Sequence, residues 1–90
     1  MFVRLTRGHY DVAKEAEIQR IVEEHLIPGL KQLPGFQSYT GGVDRHAGRV
    51  LATSVWDTAA QSEAVNALRV PFGSLIQFEP TEVYEVTAHA

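Results

Sequence analysis

The 90-residue chain has no cysteine. It therefore lacks a disulfide framework and a thiolate zinc site to brace a small core. No apolar run approaches the ~20 residues that would cross a bilayer, which excludes a membrane-spanning helix. Nor is there an excess of basic charge: 8 Lys and Arg stand against 11 Asp and Glu, for a net charge of −3. Without a basic stripe to hold phosphates, nucleic-acid binding is excluded. The N-terminus has no basic region followed by a long apolar stretch, so no signal peptide is expected. Together with the missing cysteine, this predicts a cytoplasmic location. The 4 histidines are scattered, with no His-x-His or His-Glu-x-x-His spacing, so the sequence predicts no metal. No serine sits in a Gly-x-Ser-x-Gly elbow. Gly41-Gly42 and Gly73 match no nucleotide fingerprint, and no cofactor is expected.

What is present is ordinary for a globular domain: 44% hydrophobic and 21% charged residues. Residues 1–90 read as one domain with a thin core. Pairing with a second copy is the most accessible way to bury more apolar surface.

Phe2-Val3-Arg4-Leu5-Thr6-Arg7 reads as a strand closed by Gly8. Val3 and Leu5 form a purely apolar set, whereas Phe2, Arg4 and Thr6 are mixed, so the two faces meet different surroundings. Asp11 is a candidate N-cap. Beyond it, Ile18, Ile21, Val22, His25, Leu26, Gly29, Leu30 and Leu33 recur at helical spacing. Pro28 predicts a kink or a restarted turn, and Pro34-Gly35 ends the helix. Phe36 to Thr40 is a second strand, leaving through Gly41-Gly42, where a bulge or bend is expected. Asp44 to Arg49 is a hairpin turn, and Val50 to Trp56 is the most apolar strand. Asp57-Thr58 caps a second helix from about Ala59 to Leu68, with a small-residue face. Ser74 to Phe78 reads equally as a helical turn or a lid. Thr81 to Ala88 is the last strand, with Val83, Glu85 and Thr87 opposite Tyr84 and Val86.

The order β-α-β-β-α-β predicts an α+β, ferredoxin-like fold: a four-stranded antiparallel sheet with both helices on one face. The uncovered face keeps apolar side chains, which favours a homodimer through that face.

Several segments carry a family resemblance. Val22-Glu23-Glu24-His25-Leu26-Ile27-Pro28-Gly29-Leu30 leads to Leu33-Pro34-Gly35-Phe36. Val43 to Arg49 leads to Ser54-Val55-Trp56-Asp57-Thr58, and Val83-Tyr84-Glu85-Val86 lies near the end. Over nearly its whole length the chain resembles the antibiotic biosynthesis monooxygenase-like proteins of the dimeric α/β-barrel superfamily. The resemblance implies two sheets meeting face to face in a dimer, with a separate pocket in each subunit between sheet and helices. It implies a range of activities: cofactor-free oxygenases of aromatic polyketides, haem-degrading oxygenases, isomerases and cyclases. The haem-degrading members carry a tryptophan and a histidine ligand on the second helix and just beyond. Here Gln61 to Phe72 holds neither, so haem is not implied.

His25 is the candidate catalytic residue, a general base or a donor that orients the ligand, expected to point toward the sheet from the first helix. The bland alternative is a histidine with a hydrogen-bonded structural role. Trp56 is read either as a flat wall for an aromatic ligand or as core. Tyr39 and Tyr84 offer phenols that orient a ligand or pack an interface. Arg4 binds a carboxylate or enolate oxygen if it faces the pocket, and is a solvated charge if it does not. Phe72, in the irregular connection Pro71-Phe72-Gly73, completes the candidate substrate contacts. Asn66 either holds a carbonyl oxygen or faces solvent, and His9, His46 and His89 are expected to be exposed. The sequence thus leads to a cofactor-independent monooxygenase-like protein for a small apolar or aromatic molecule. Its rivals are a non-catalytic binding or accessory homodimer, and a non-redox isomerase or cyclase.

Overall fold

Strand β1 (Phe2–Tyr10) lies in the middle of the sheet. A computed structural model describes all 90 residues, Met1–Ala90. One edge of β1 pairs along most of its length with β3 (Arg49–Trp56). The other edge pairs with two short strands, β4 (Ile76–Phe78) and β5 (Glu82–Glu85). Outermost is β2 (Phe36–Asp44), paired with β3, and every pairing is antiparallel. This is the expected ferredoxin-like sheet with its fourth strand divided in two. The Glu79 amide still donates to the Arg7 carbonyl, at 2.8 Å. Pro80 follows, and without an N–H it cannot extend the ladder. Ser74 to Phe78 is thus resolved in favour of neither a helix nor a lid, since its second half is β4.

The first helical region is continuous but not uniform. The Asp11 carboxylate accepts the Ala13 amide at 2.9 Å and caps a 3-10 turn. Helix α1 (Glu15–Ile21) follows, then a π-helical turn (Val22–Leu26), then α2 (Ile27–Lys31). Pro28 falls in the first turn of α2, where its missing amide costs least. The wide turn places the Ile27 amide on the Val22 carbonyl. One extra residue in a turn rotates everything after it by ~100° about the axis.

The second helical region starts on a reciprocal cap: the Gln61 amide donates to Thr58 Oγ1, and the Thr58 amide donates to Gln61 Oε1, both at 3.2 Å. It then breaks into α3 (Ala59–Ser62) and α4 (Val65–Leu68) rather than running straight through.

Registry assigns each sheet residue to a face. Arg4 lies opposite Ser54 and Val83, and Tyr39 opposite Ser54, so these share the side that the helices cover. Val3, Leu5, Leu51, Val55 and Tyr84 share the other side. The core joins the helices to the inner side through Ile18, Ile21, Leu26, Leu30, Trp56, Phe72 and Ile76. Trp56 and Ser62 are wholly buried.

Gly8 marks a close approach between β1 and β4. A Cβ there would lie 2.9 Å from both the Gln77 carbonyl oxygen and Ile76 Cγ2. Gly8→Ala must push β4 off β1, and should lower stability by roughly 1–3 kcal/mol in urea denaturation.

Candidate functional site

Between the inner side of the sheet and the helices lies a cavity of about 530 Å³, lined mostly by apolar side chains. That volume suits a small organic ligand. The sheet supplies Thr6, Tyr10, Tyr39, Ala52 and Ser54, the helices Ile18, Val22, Leu26 and Leu30, and the later chain Val65, Arg69, Phe72 and Phe78.

Tyr39 is the polar group best placed to meet a ligand. Its hydroxyl rests over Gly41, 2.6 Å from where a Cβ would stand, so the absent side chain makes its room. Burial alone raises its pKa, with no hydrogen bond contributing. At neutral pH it is a phenol with a proton to donate.

Toward the β2–β3 hairpin, Tyr10 donates to Glu15 at 2.8 Å, and Arg45 Nε reaches both Glu15 oxygens at 2.9 and 3.0 Å. The Arg45 hydrogen bond, then the Tyr10 one, holds the Glu15 carboxyl below its ordinary range. Glu15 is therefore an engaged carboxylate rather than a free base.

Phe72 lines the cavity and Arg4 is buried on its side of the sheet, one strand step from Thr6. Two expectations of placement need correction. His25 is exposed and lies outside the cavity wall, because the π-helical turn gives the inward positions to Leu26 and Leu30. Trp56 is also outside the wall. It is sealed in the core, its indole N–H donating to Ser54 Oγ at 2.8 Å, its ring edge-on to Phe36 with centroids 5.4 Å apart. Asn66 is exposed and accepts a hydrogen bond from Arg4 at 2.6 Å. His9, His46 and His89 are exposed, as expected.

Arg69, Ser54 and the Tyr10–Glu15–Arg45 chain were not singled out from sequence. Arg69 directly follows α4 and lies across the Phe78 ring, 3.8 Å from its centroid. Its one sequence signal is a cation next to the small-residue helix, at the start of the Arg69-Val70-Pro71-Phe72 connection.

No helix is long and apolar enough to cross a membrane, and no group of acidic or histidine side chains is arranged to hold a metal ion. No family model matches the sequence, and no curated protein matches it. Solved structures do. A Deinococcus radiodurans protein, a candidate antibiotic biosynthesis monooxygenase, superposes with a TM-score of 0.76 at 16% identity, over 100% of this chain and 96% of that one. SnoaB of Streptomyces nogalater, a cofactor-independent oxygenase, gives 0.70 at 15% identity over 98% and 94%. The ActVA-Orf6 monooxygenase of Streptomyces coelicolor, in complex with nanaomycin D, gives 0.71 at 17% over 99% and 88%. At such identities the likeness establishes the fold, the ferredoxin-like one that the sequence resemblance implied.

All three tyrosines are held above the ordinary phenol pKa of 10.0: Tyr39 and Tyr10 chiefly by burial, Tyr84 chiefly by its hydrogen bond to Glu82. A phenol that titrates higher in the folded than in the unfolded chain contributes stability that is complete below the unfolded value. It is lost as pH rises through the folded one. Alkaline titration followed by tyrosinate absorbance should therefore have its midpoints displaced upward from the ordinary phenol value of 10.0. Tyr39→Phe should remove one of the delayed transitions, and stability should fall across the same alkaline window.

Proposed function

We propose that this protein is a cofactor-independent monooxygenase acting, as a homodimer, on a small enolisable aromatic molecule held in the sheet–helix cavity. The observation that carries this reading is the apolar cavity with the unpartnered Tyr39 phenol inside it. Support comes from a shared fold with a cofactor-independent oxygenase and with a monooxygenase complexed with nanaomycin D. An enolisable aromatic needs no cofactor for this chemistry. Once deprotonated it supplies electrons to dioxygen itself. A methylene becomes a carbonyl, one oxygen atom is retained, and the other leaves as water.

The chain's part is binding, water exclusion and stabilisation of the anion. Phe72 and the aliphatic wall exclude water. The Tyr39 O–H donates to the oxygen on which negative charge develops, which acidifies the neighbouring C–H. His25 is exposed outside the cavity wall, so the C–H proton passes to solvent water, its loss favoured by stabilisation of the anion left in the cavity.

That same lack of a free base favours a second reading, a non-catalytic homodimer that binds a small apolar molecule. Oxygen uptake with anthrone as probe separates the two. The first reading expects uptake coupled to anthraquinone formation, reduced about tenfold or more in Tyr39→Phe and unchanged in His25→Ala. Binding of anthrone without oxygen uptake leaves the second, and turnover of a related substrate without oxygen would indicate isomerase or cyclase chemistry.

Val3, Leu5, Leu51, Val55 and Tyr84 on the uncovered side of the sheet support the dimer. Leu51 and Tyr84 are 43% and 53% exposed in the single chain, beside the Arg7–Glu82 ion pair on the same side, and a partner would take this apolar surface out of water. Light scattering should give twice the 10.0 kDa chain mass, and Leu51→Glu should shift the protein toward the monomer.

A further inference from the structure

Two arginines meet beside the cavity with no carboxylate between them. Arg4 is 4% exposed. Its Nη2 donates to Asn66 Oδ1 at 2.6 Å and to Thr81 Oγ1 at 3.5 Å. Its Nε is buried without any partner. Arg69, part of the cavity wall, donates from Nη1 to the same Thr81 oxygen at 3.4 Å. The ion pairs of the chain, Arg7–Glu82 and Arg45–Glu15, involve neither arginine. Glu63 is the carboxylate whose charge bears on Arg4, and it is exposed and beyond ion-pair range.

Neutral oxygens satisfy some donors but cancel no charge. A guanidinium cannot escape by losing its proton, since it stays ionised in proteins. Burying one therefore calls for an opposite charge, and burying it near a second cation calls for it more strongly. The environment opposes both charges: burial lowers the affinity of both arginines for their protons, and Arg69 lowers that of Arg4 further. The Phe78 ring meanwhile holds the Arg69 guanidinium carbon 3.8 Å from its centroid, and of the guanidinium donors only Nη1 is engaged, by Thr81, so others remain for a planar, two-oxygen acceptor.

We propose that Arg69, backed by Arg4, is the anion-binding end of the cavity, and that the ligand is an aromatic carboxylate with its ring among the apolar lining. This rests on the cavity being the ligand site, as argued above, and adds the charge of what enters. The carboxylate takes up the remaining Arg69 donors and the field of Arg4, relieving the unmatched pair. An uncharged aromatic fills the same space and leaves both cations uncompensated.

Calorimetric titration of the intact protein with 2-naphthoate and with its uncharged isostere 2-naphthamide tests this directly. The acid is expected to bind roughly tenfold or more tightly than the amide, as a charge-assisted contact requires, with the advantage shrinking in high salt. Arg69→Gln should bring the ratio close to one. Arg4→Gln, checked for folding by circular dichroism, should reduce the ratio as well. Equal binding of acid and amide to the unaltered protein overturns the anion site while leaving the aromatic cavity intact. An acid preference that survives Arg69→Gln also overturns it, because another group must then hold the carboxylate. If neither probe binds, the cavity reading falls and takes this one with it.

Discussion

Strand β1 is hydrogen-bonded along both edges, to β3 on one side and to β4 and β5 on the other. It cannot rotate without breaking both ladders, so its alternation decides what each side of the sheet presents. That alternation is inverted relative to a simple half-exposed sheet. Arg4 and Thr6 point under the helices, while Val3 and Leu5 point away from them. The neighbouring strand repeats the inversion, with Ser54 inside and Leu51 and Val55 outside. A protein maximising the core of a single chain would place these residues the other way round. Here the inner side keeps polar groups next to empty volume, and the outer side carries Val3, Leu5, Leu51, Val55 and Tyr84 beside the Arg7–Glu82 ion pair. One register thus makes the cavity chemically useful and makes a second copy on the outer face favourable.

The π-helical turn is a second constraint of the same kind. Pro28 has no amide to donate one turn back, and the helix accommodates it by widening over Val22–Leu26 just before it. In a uniform helix Ile18, Ile21, His25 and Gly29 would form one inward line. With one residue inserted, the inward line becomes Ile18, Val22, Leu26 and Leu30, all of which border the cavity. An apolar wall replaces a titratable group there. The chemistry available inside therefore shifts from proton abstraction toward hydrogen-bond donation and charge stabilisation.

The element order, the hairpin and the apolar outer set of Val3 and Leu5 were legible in the sequence because each is written in short-range periodicity. The same periodicity was ambiguous on the first helix, where a stripe broad enough to include both His25 and Leu26 fits two registers. Only the three-dimensional response to Pro28 separates them. Trp56 was legible as a buried aromatic but not as a sealed one. Its exclusion from the cavity depends on Phe36 and Ser54, which reach it across the sheet and along its own strand. Arg69 left little local trace. Its importance comes from Phe78, Thr81 and Arg4, partners distant in sequence that converge only through strand pairing.

The charges around the cavity then divide along β1. At the hairpin end Arg45 is neutralised by Glu15, which also fixes Tyr10. Arg4 lies six residues back along the strand, about 20 Å away in extended chain, and neither it nor Arg69 is neutralised. The cavity therefore has a charge-balanced end at the hairpin and an uncompensated positive end at Arg69, in surroundings whose low polarity preserves the difference. An anion in the cavity is favoured at the Arg69 end. If charge develops on a ligand during reaction, the same gradient stabilises it, with the Tyr39 proton at hand to share. Binding of an anionic aromatic and stabilisation of a carbanion are then two uses of one electrostatic arrangement, fixed by which residues of β1 face inward.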